Sequence, residues 1–386
     1  MTRHFAAAFR RAKAMMRPAR SAQKAMTSLM VQTMLSPLSE TKPKKAARRS
    51  TRVKTAGTLG SVVKQLRAAK AISAPAKRAD SASPRLSVPS GAQYLLRSHK
   101  TAAGTRDYRI YVPANGSRGP QGLVVMLHGC KQSPDDFAVG TRMNRHAEKH
   151  GLIIVYPAQT TSHNAAACWN WFRPHHQQRG KGEPAILASL TRKVMKEFGL
   201  GRESVFVAGL SAGGAMAAIL ADVYPDLFAA AGIHSGLARG SARDVLSALS
   251  AMRSGGSAGA TFDKKSTHTA RRIVFHGDKD STVHPSNAGL IVAGAEGAAA
   301  EPKRVVNRLV RGRGYKRSEF AGPDGEVRLE LWMLQGGGHA WSGGRAAGSY
   351  TDPSGPDASA QMLRFFLAPV AESNPVAIRK PALRRR

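Results

Sequence analysis

A chain of 386 residues with a hydrophobic content of 42% can bury a sizeable core, which excludes a wholly disordered protein. Its formal net charge of +35 would suggest a nucleic-acid or membrane-surface protein if the charge were spread evenly. The charge is concentrated at the ends instead: residues 1–90 contain 20 Lys and Arg against two acidic residues, and the last 17 residues contain five against one.

The first 90 residues are predicted to be a basic, mostly disordered arm. Ala, Ser, Lys, Arg and Pro dominate it, and apolar residues cluster only at 26–35 and 61–72, where we expect one or two nascent amphipathic helices. Such a composition cannot bury enough surface to offset the entropy lost on folding. Residues 369–386 are predicted to be a short basic tail for the same reason.

The arm has no evident export signal. Arg10 and Arg11 resemble a twin-arginine signal, but Lys13, Arg17 and Lys24 interrupt the stretch that follows. A transmembrane span is not expected, because no run of about 18 apolar residues occurs. An arm of this kind fits a polyanion, such as a nucleic acid, membrane lipid or granule surface, although a solvated tail without a specific ligand is the favoured interpretation.

From about residue 92 the chain alternates short β-rich runs with Ala-rich helical stretches. This alternation predicts an α/β domain over 91–368 with a mostly parallel central sheet flanked by helices. Gly199 is expected to end the second predicted helix. In chain order, strands are predicted at 108–112, 123–127, 152–156, 205–208, 229–233, 273–275 and 327–334, and helices at 141–150 and 185–198.

The motif Gly-x-Ser-x-Gly occurs between a predicted strand and an Ala-rich helix, at Gly209, Ser211 and Gly213. In this setting the serine lies on a sharp strand-to-helix turn, and the glycines leave room for the neighbouring backbone. Ser211 is therefore the predicted nucleophile, and the strand–turn–helix context predicts the α/β-hydrolase fold.

A nucleophilic serine needs a base and an orienting acid, which follow it in the order Asp, His in this fold. Asp280 follows the strand predicted at 273–275, and His339 follows the strand at 327–334 and a run of three glycines. We assign Asp280 as the acid and His339 as the base. Asp278 is the rival acid, but its place next to the strand favours a turn-shaping role.

The oxyanion of an acyl-transfer intermediate needs two backbone N–H donors. In this fold they come from the residue after the nucleophile and from the loop after an early strand. These positions correspond to Ala212 and Cys130.

Five motifs together resemble the esterase family named for polyhydroxybutyrate (PHB) depolymerase, which is related to carbohydrate esterase family 1 (feruloyl and acetylxylan esterases). The resemblance covers roughly residues 92–368 and implies a serine esterase with a Ser-His-Asp triad and an acyl-enzyme. It also implies ester substrates that range from short polyhydroxyalkanoate chains to acylated polysaccharides. The motifs are LHGCKQ (127–132), CWNWF (168–172), GLSAGG (209–214), the loop 276–283 and GHAW (338–341).

Cys130 and Cys168 are the two cysteines of the chain, and each lies in one of these motifs. They are either a disulfide, which implies an oxidising compartment, or two buried thiols of a cytosolic enzyme. The position of each in a motif favours the bond. Localisation stays open at this point, because the lack of a clear signal peptide suggests the cytoplasm while the resemblance and the paired cysteines suggest the extracellular region.

Trp169 and Trp341 lie next to the predicted catalytic loops and are predicted to line the substrate pocket. No metal site and no cofactor are expected, since the histidines lack zinc-ligand spacing and no glycine-rich stretch joins a strand to a helix as a phosphate loop does. Two alternatives stay open: a thioesterase or peptidase of the same fold, and a polyanion- or granule-binding protein whose arm carries the function.

Overall fold

The structure, a computed structural model, describes residues 86–114, 119–256, 268–295 and 301–369. Nearly all of the predicted basic arm, including the helices expected at 26–35 and 61–72, lies outside the described residues, as does the basic tail from residue 370.

A ten-stranded sheet forms the centre of the described domain. Its strand order is β1-β2-β4-β3-β5-β6-β7-β10-β9-β8, and the six strands from β4 to β10 in that order are mutually parallel. The prediction of a mostly parallel sheet flanked by helices is confirmed. The strands are β1 (Gln93–Thr101), β2 (Gly104–Val112), β3 (Gly122–Leu127), β4 (Leu152–Pro157), β5 (Val205–Leu210), β6 (Ala230–His234), β7 (Arg271–Gly277), β8 (Arg304–Val310), β9 (Arg313–Ala321) and β10 (Val327–Leu334), with a separate parallel pair β11 (Trp341–Ser342) and β12 (Thr351–Asp352).

Antiparallel hairpins flank the parallel strands on both sides, β1-β2 at one edge and β9-β8 at the other. The strands β1, β8 and β9 were not predicted. Only one face of an edge hairpin packs on the core, so most residues of β8 are exposed and its sequence lacks the continuous apolar run of β3 or β5.

The described residues form seven α-helices, six of which lie between strands in the chain. The helix predicted at 141–150 is confirmed as α2 (Met143–His150), whereas α1 (Pro134–Thr141) was not predicted. Arg142 adopts a left-handed conformation (φ 55°) that ends α1 and begins α2. Gly199 caps α3 with φ 66°, as predicted. The helices are α1 (Pro134–Thr141), α2 (Met143–His150), α3 (Gly182–Phe198), α4 (Ala212–Val223), α5 (Val245–Ser254), α6 (Ser286–Ala293) and α7 (Ala358–Phe366).

Helices cover both faces of the sheet and bury two apolar layers. Residues of α3, α4 and α5 pack with one face, and residues of α1, α2 and α7 pack with the other. The parallel strands β3, β4, β5 and β6 are buried along their whole length. The loops at the carboxyl ends of these strands are therefore the place where polar side chains of the domain converge.

Candidate active site

The turn between β5 and α4 has a strained backbone. Ser211 adopts φ 57° and ψ −120°, a conformation that residues with a Cβ rarely take. A Cβ on Gly209 would collide with the carbonyl of Gly213, and a Cβ on Gly213 would collide with the carbonyl of Leu127. The two motif glycines are thus required by backbone contacts, and they leave the serine at the point where the strand reverses into the helix.

Neighbouring backbone holds this turn in place. The N–H of Ser211 donates to the carbonyl oxygen of His234 at 2.9 Å, across from the end of β5 to the end of β6. The carbonyl of Ser211 accepts from the N–H of Ala215 at 2.9 Å. Ser211 itself is only 6% exposed.

Asp280 and His339 form a buried pair. The Asp280 Oδ2 atom lies 2.8 Å from His339 Nδ1, and Asp280 Oδ1 accepts from the N–H groups of Thr282 and Val283 at 2.9 Å each. Burial alone raises the pKa of Asp280, but the charge and hydrogen bond of His339, with further contributions from His276 and the Val283 amide, outweigh it and lower this pKa to about 2. Asp280 is therefore a carboxylate throughout the neutral range.

Asp278, the rival acid, has a different role. Its carboxylate accepts from the N–H of Gly336 at 2.7 Å, and its own N–H donates to the carbonyl of Leu334 at 3.0 Å. These bonds join the loop after β7 to the loop after β10. Asp280, rather than Asp278, is the acid that contacts His339.

The strand order brings the predicted catalytic residues to one edge of the sheet. Ser211 follows β5, Asp280 follows β7 and His339 follows β10, and β5, β6, β7 and β10 are successive parallel neighbours. Within the described residues the hydrogen bonds include none between Ser211 Oγ and His339, and catalytic hydrogen bonds of this kind often tighten only when substrate binds.

The loop after β3 lies against the nucleophile turn. A Cβ built on Gly129 would lie 3.6 Å from the Cβ of Ser211. The side chain of Gln132 holds the loop: its Oε1 accepts from the Gly129 N–H at 2.9 Å, and its Nε2 donates to Asp136 Oδ2 at 3.0 Å. Sequence reasoning did not single out this role of Gln132, since it depends on a contact between a side chain and its own loop.

Cys130 and Ala212 are the two predicted oxyanion donors. The N–H of Cys130 is absent from the hydrogen bonds that the described residues make, and Ala212 begins α4, where a helix leaves its first N–H groups without intrahelical partners. Ala212 directly follows Ser211 in the chain. Cys130 directly follows Gly129, the residue that lies against the side chain of Ser211.

A disulfide joins Cys130 to Cys168, with a Cα–Cα distance of 4.3 Å. Cys168 is fully buried and Cys130 is 7% exposed. The bond ties the loop after β3 to the segment 168–172, so two of the family-like motifs form one covalently linked unit.

The buried side chain of Glu183 hydrogen-bonds to the segment 168–172 through Asn170, a role that the sequence did not predict. It is 1% exposed, and its carboxylate accepts from Asn170 N and Nδ2 at 2.8 Å each, from Gln159 Nε2 at 2.7 Å and from Arg106 at 3.3 Å. Burial alone raises the pKa of Glu183, but the bonds from His176 and Asn170 outweigh it, so the net shift is downward. An isolated acid at the start of a helix gives no sequence signal for such a network.

The predicted pocket role of Trp169 and Trp341 is corrected by the structure, because neither side chain has exposed surface. Trp169 Nε1 donates to the carbonyl of His128 at 3.1 Å, and Trp341 Nε1 donates to Ser359 Oγ at 3.1 Å. Both rings are packed in the apolar core next to the catalytic loops, so they do not line an open pocket. Burial is decided by tertiary packing, which proximity in sequence to a catalytic motif does not reveal.

Two further buried histidines flank the pair of Asp280 and His339. His276 Nε2 lies 2.9 Å from the carbonyl of Val283 and 3.5 Å from Asp280 Oδ2. Burial lowers the pKa of His276 and outweighs the opposing charge of Asp280. His234, at the end of β6, is fully buried. No sequence pattern pointed to His234, and His276 was noted only as the first residue of the motif 276–283.

In the described part of the chain, no group of three or more His, Cys, Asp or Glu side chains is arranged to hold a metal ion. A separate search of the same residues finds no helix that is both long and apolar enough to span a bilayer.

The strand order, the strained serine turn and the buried acid–histidine pair define an α/β-hydrolase fold. A solved structure of the acetyl xylan esterase from Aspergillus awamori has the same fold, with a TM-score of 0.53 and 20% sequence identity, over 71% of this chain and 98% of that one.

Residues 106–295 match the family model described as esterase PHB depolymerase. The matched part, which includes Ser211 and Asp280, is similar to that family, and the resemblance that the sequence motifs indicated is thereby confirmed. His339 lies beyond the matched residues.

Curated relatives of two kinds are similar to the chain. A probable acetylxylan esterase A of Aspergillus clavatus is 29% identical over 193 residues, which cover 46% of this chain and 61% of that protein. Poly(3-hydroxyalkanoate) depolymerase C of Paucimonas lemoignei is 27% identical over 269 residues, which cover 66% of this chain and 64% of that protein. The chain thus spans less than two thirds of the length of these relatives.

Proposed function

We propose that the chain is a serine esterase that hydrolyses carboxylic esters, with Ser211 as nucleophile, His339 as general base and Asp280 as the orienting acid. The observation that carries this proposal is the buried 2.8 Å contact between Asp280 and His339 at the sheet edge where the strained Ser211 turn also ends. The family match and the esterase names of the curated relatives support the reaction class.

Acylation begins when His339 Nε2 takes the proton of Ser211 Oγ as that oxygen attacks the ester carbonyl. The carbonyl π electrons move onto oxygen, and the N–H groups of Cys130 and Ala212 stabilise the resulting oxyanion. When the intermediate collapses, the bond to the leaving alkoxide breaks and His339 returns the proton to it. The products are the free alcohol and an acyl group on Ser211.

Deacylation repeats these steps with water. His339 takes a proton from the water, the hydroxide oxygen attacks the acyl carbon, and the bond to Ser211 Oγ breaks as the serine regains its proton. The carboxylic acid leaves, and the enzyme returns to its starting state.

Asp280 makes this cycle efficient in two ways. Its contact with Nδ1 of His339 keeps the proton on that nitrogen, so that Nε2 is free to act as the base. Its negative charge stabilises the imidazolium that forms when His339 takes the proton. The lowered pKa of Asp280 supports this role, because it keeps the group ionised throughout the neutral pH range.

The substrates we propose are short polyhydroxyalkanoate chains or acylated polysaccharides. Relatives of both kinds support them, one named as a poly(3-hydroxyalkanoate) depolymerase and others as acetylxylan esterases. Both classes present a carboxylic ester carbonyl, which the same triad can attack. Hydroxybutyrate oligomers, feruloyl esters and acetylated xylan, compared by kcat/KM, would identify the preferred class.

The test of the catalytic assignment is hydrolysis of p-nitrophenyl acetate and butyrate by the wild type and by Ser211→Ala. The loss of kcat is expected to be on the order of 10⁶-fold, since removal of a triad nucleophile has effects of that size. Ser254→Ala is the matched control, because Ser254 is exposed at the end of α5 and its hydroxyl bonds only to the preceding helical turn. Equal rates for wild type and Ser211→Ala would refute the proposal, and a preference for thioesters or peptides over esters would replace its substrate class.

A further inference from the structure

His234 lies between the residues proposed for catalysis without being one of them. It is the last residue of β6, the strand between the strands that lead to Ser211 and Asp280. Its ring is fully buried and stacks between the rings of Phe275, at 5.6 Å and 11°, and Trp341, at 5.2 Å and 25°. The ring is therefore fixed in one plane by aromatic contacts on both sides.

Two hydrogen bonds connect His234 to the two catalytic loops. Its carbonyl oxygen accepts from the N–H of Ser211 at 2.9 Å, and its Nε2 accepts from the N–H of Ser342 at 3.1 Å. Ser342 is three residues beyond His339. One residue thus bonds to the nucleophile turn through its backbone and to the loop of the base through its side chain.

These bonds also set the protonation of the ring. Because Nε2 accepts from an amide, the proton must be on Nδ1, which lies 3.2 Å from Ser235 Oγ and can donate to it. Burial lowers the pKa of His234 to about 3, and the neighbouring His276 and His339 add to this effect against the opposing charge of Asp280. The ring therefore stays neutral, and its Nε2 stays an acceptor, at neutral pH.

We propose that His234 is a positioning residue that sets the distance between Ser211 and His339 by holding both loops. This inference rests on the proposed function. His339 follows three consecutive glycines, a segment with little stiffness of its own. An anchor on its far side, at Ser342, compensates for that flexibility.

Two variants separate the acceptor from the ring. His234→Phe keeps an aromatic ring between Phe275 and Trp341 but has no acceptor at the Nε2 position. His234→Gln loses the stacking but can place its amide oxygen near that position. We expect kcat for p-nitrophenyl butyrate to fall about 10- to 100-fold in His234→Phe with KM little changed, because a displacement of about 1 Å between reacting groups has effects of this size. In His234→Gln we expect a smaller loss of kcat, which is the rescue that a general structural role would not produce.

Phe206→Leu is the matched control for stability. Phe206 lies in β5 at the opposite end from Ser211 and stacks on Phe366 in the core. Even if Phe206→Leu lowers the thermal midpoint as much as His234→Phe does, Phe206→Leu should keep the wild-type kcat. The control thereby separates a loss of stability from a loss of positioning. A folded His234→Phe with wild-type kcat, or a loss in His234→Gln as large as in His234→Phe, would overturn the inference.

A measurement on the wild type keeps the test valid if His234→Phe does not fold. Imidazole ¹⁵N–¹H spectra between pH 5 and 8 should show His234 neutral with its proton on Nδ1. A proton on Nε2, or a charged ring in that range, would overturn the inference. Failure of the proposed function is distinguished by Ser211→Ala: if that variant hydrolyses esters at the wild-type rate, the catalytic assignment is wrong whatever His234 does.

Discussion

Removal of the disulfide between Cys130 and Cys168 is expected to lower both stability and activity. The two residues are 38 positions apart, and closing a loop of that size in the unfolded chain contributes about 4 kcal/mol to stability in the chain-entropy treatment. For a domain of this size such a loss corresponds to a fall of roughly 10 °C in the melting temperature. Both residues are buried, so the bond is protected from reductant while the protein is folded.

The fall in kcat should be smaller than the fall that follows complete loss of an oxyanion donor. Cys130 would keep its N–H, and Gln132 would still hold Gly129 through the 2.9 Å hydrogen bond to its amide. We therefore expect kcat to fall about 10-fold, less than the 10²-fold or more that follows complete loss of one donor.

The assay is thermal unfolding and p-nitrophenyl butyrate hydrolysis of the double variant Cys130→Ala/Cys168→Ala, which leaves no thiol to react. Wild-type protein, denatured and alkylated without reductant, should gain no label in its mass spectrum and should gain two labels after reduction. Two labelled thiols without reduction, or a double variant that melts within about 2 °C of wild type, would refute the reasoning.

Three further predictions follow from the buried acids. Asp280→Asn should lower kcat on the order of 10⁴-fold, since an amide favours the wrong tautomer of the base. Asp278→Asn removes a charge from a loop hydrogen bond instead, so its kcat should stay within about 10-fold of the wild-type value. If steady-state assays show the larger loss for Asp278→Asn, the roles of the two acids are exchanged. Because the pKa of folded Asp280 is about 2 against an ordinary value of 3.8, its carboxylate contributes about 2 kcal/mol of stability above about pH 4, and this contribution is lost as the pH falls towards 2. Urea unfolding at pH 5 and pH 3 should therefore show a steeper loss for wild type than for Asp280→Asn, and parallel losses would contradict the shift. Glu183→Gln should destabilise the fold by about 3 kcal/mol, because it leaves the buried guanidinium of Arg106 without its counter-charge. Glu197→Gln in the same helix should cost less than about 1 kcal/mol, because its ion pair is partly exposed. Equal losses of unfolding free energy in urea titrations would argue against the buried network.

The parallel strands were the part of the fold easiest to predict. A strand buried on both faces is apolar along its whole length, so the runs at 123–127 and 152–156 were visible in the sequence and lie within β3 and β4. The edge strand β8 was missed for the opposite reason, because most of its residues are exposed and no apolar period remains. Helix α1 was not predicted, and neither was its end at Arg142, since a left-handed residue other than glycine leaves no mark in the sequence.

The positions of the candidate catalytic residues were predicted on similar grounds. Ser211, Asp280 and His339 each follow a recognisable strand, and glycines mark the turns where backbone contacts exclude a side chain. Their catalytic roles remain predictions. The pocket tryptophans were misjudged because proximity in sequence to a motif does not say which way a ring points, and here both rings point into the core.

The sequence by itself determined the buried parallel strands, the glycine-flanked serine turn and the order of the candidate nucleophile, acid and base, since each depends on residues adjacent in the chain. The sequence favoured Asp280 over Asp278, and the tertiary structure showed that Asp280 contacts His339. The tertiary structure alone decided that Glu183 joins three segments and that His234 bonds to both catalytic loops. These are contacts between residues far apart in sequence. Their energies depend on burial and on distances that exist only once the strands are placed side by side.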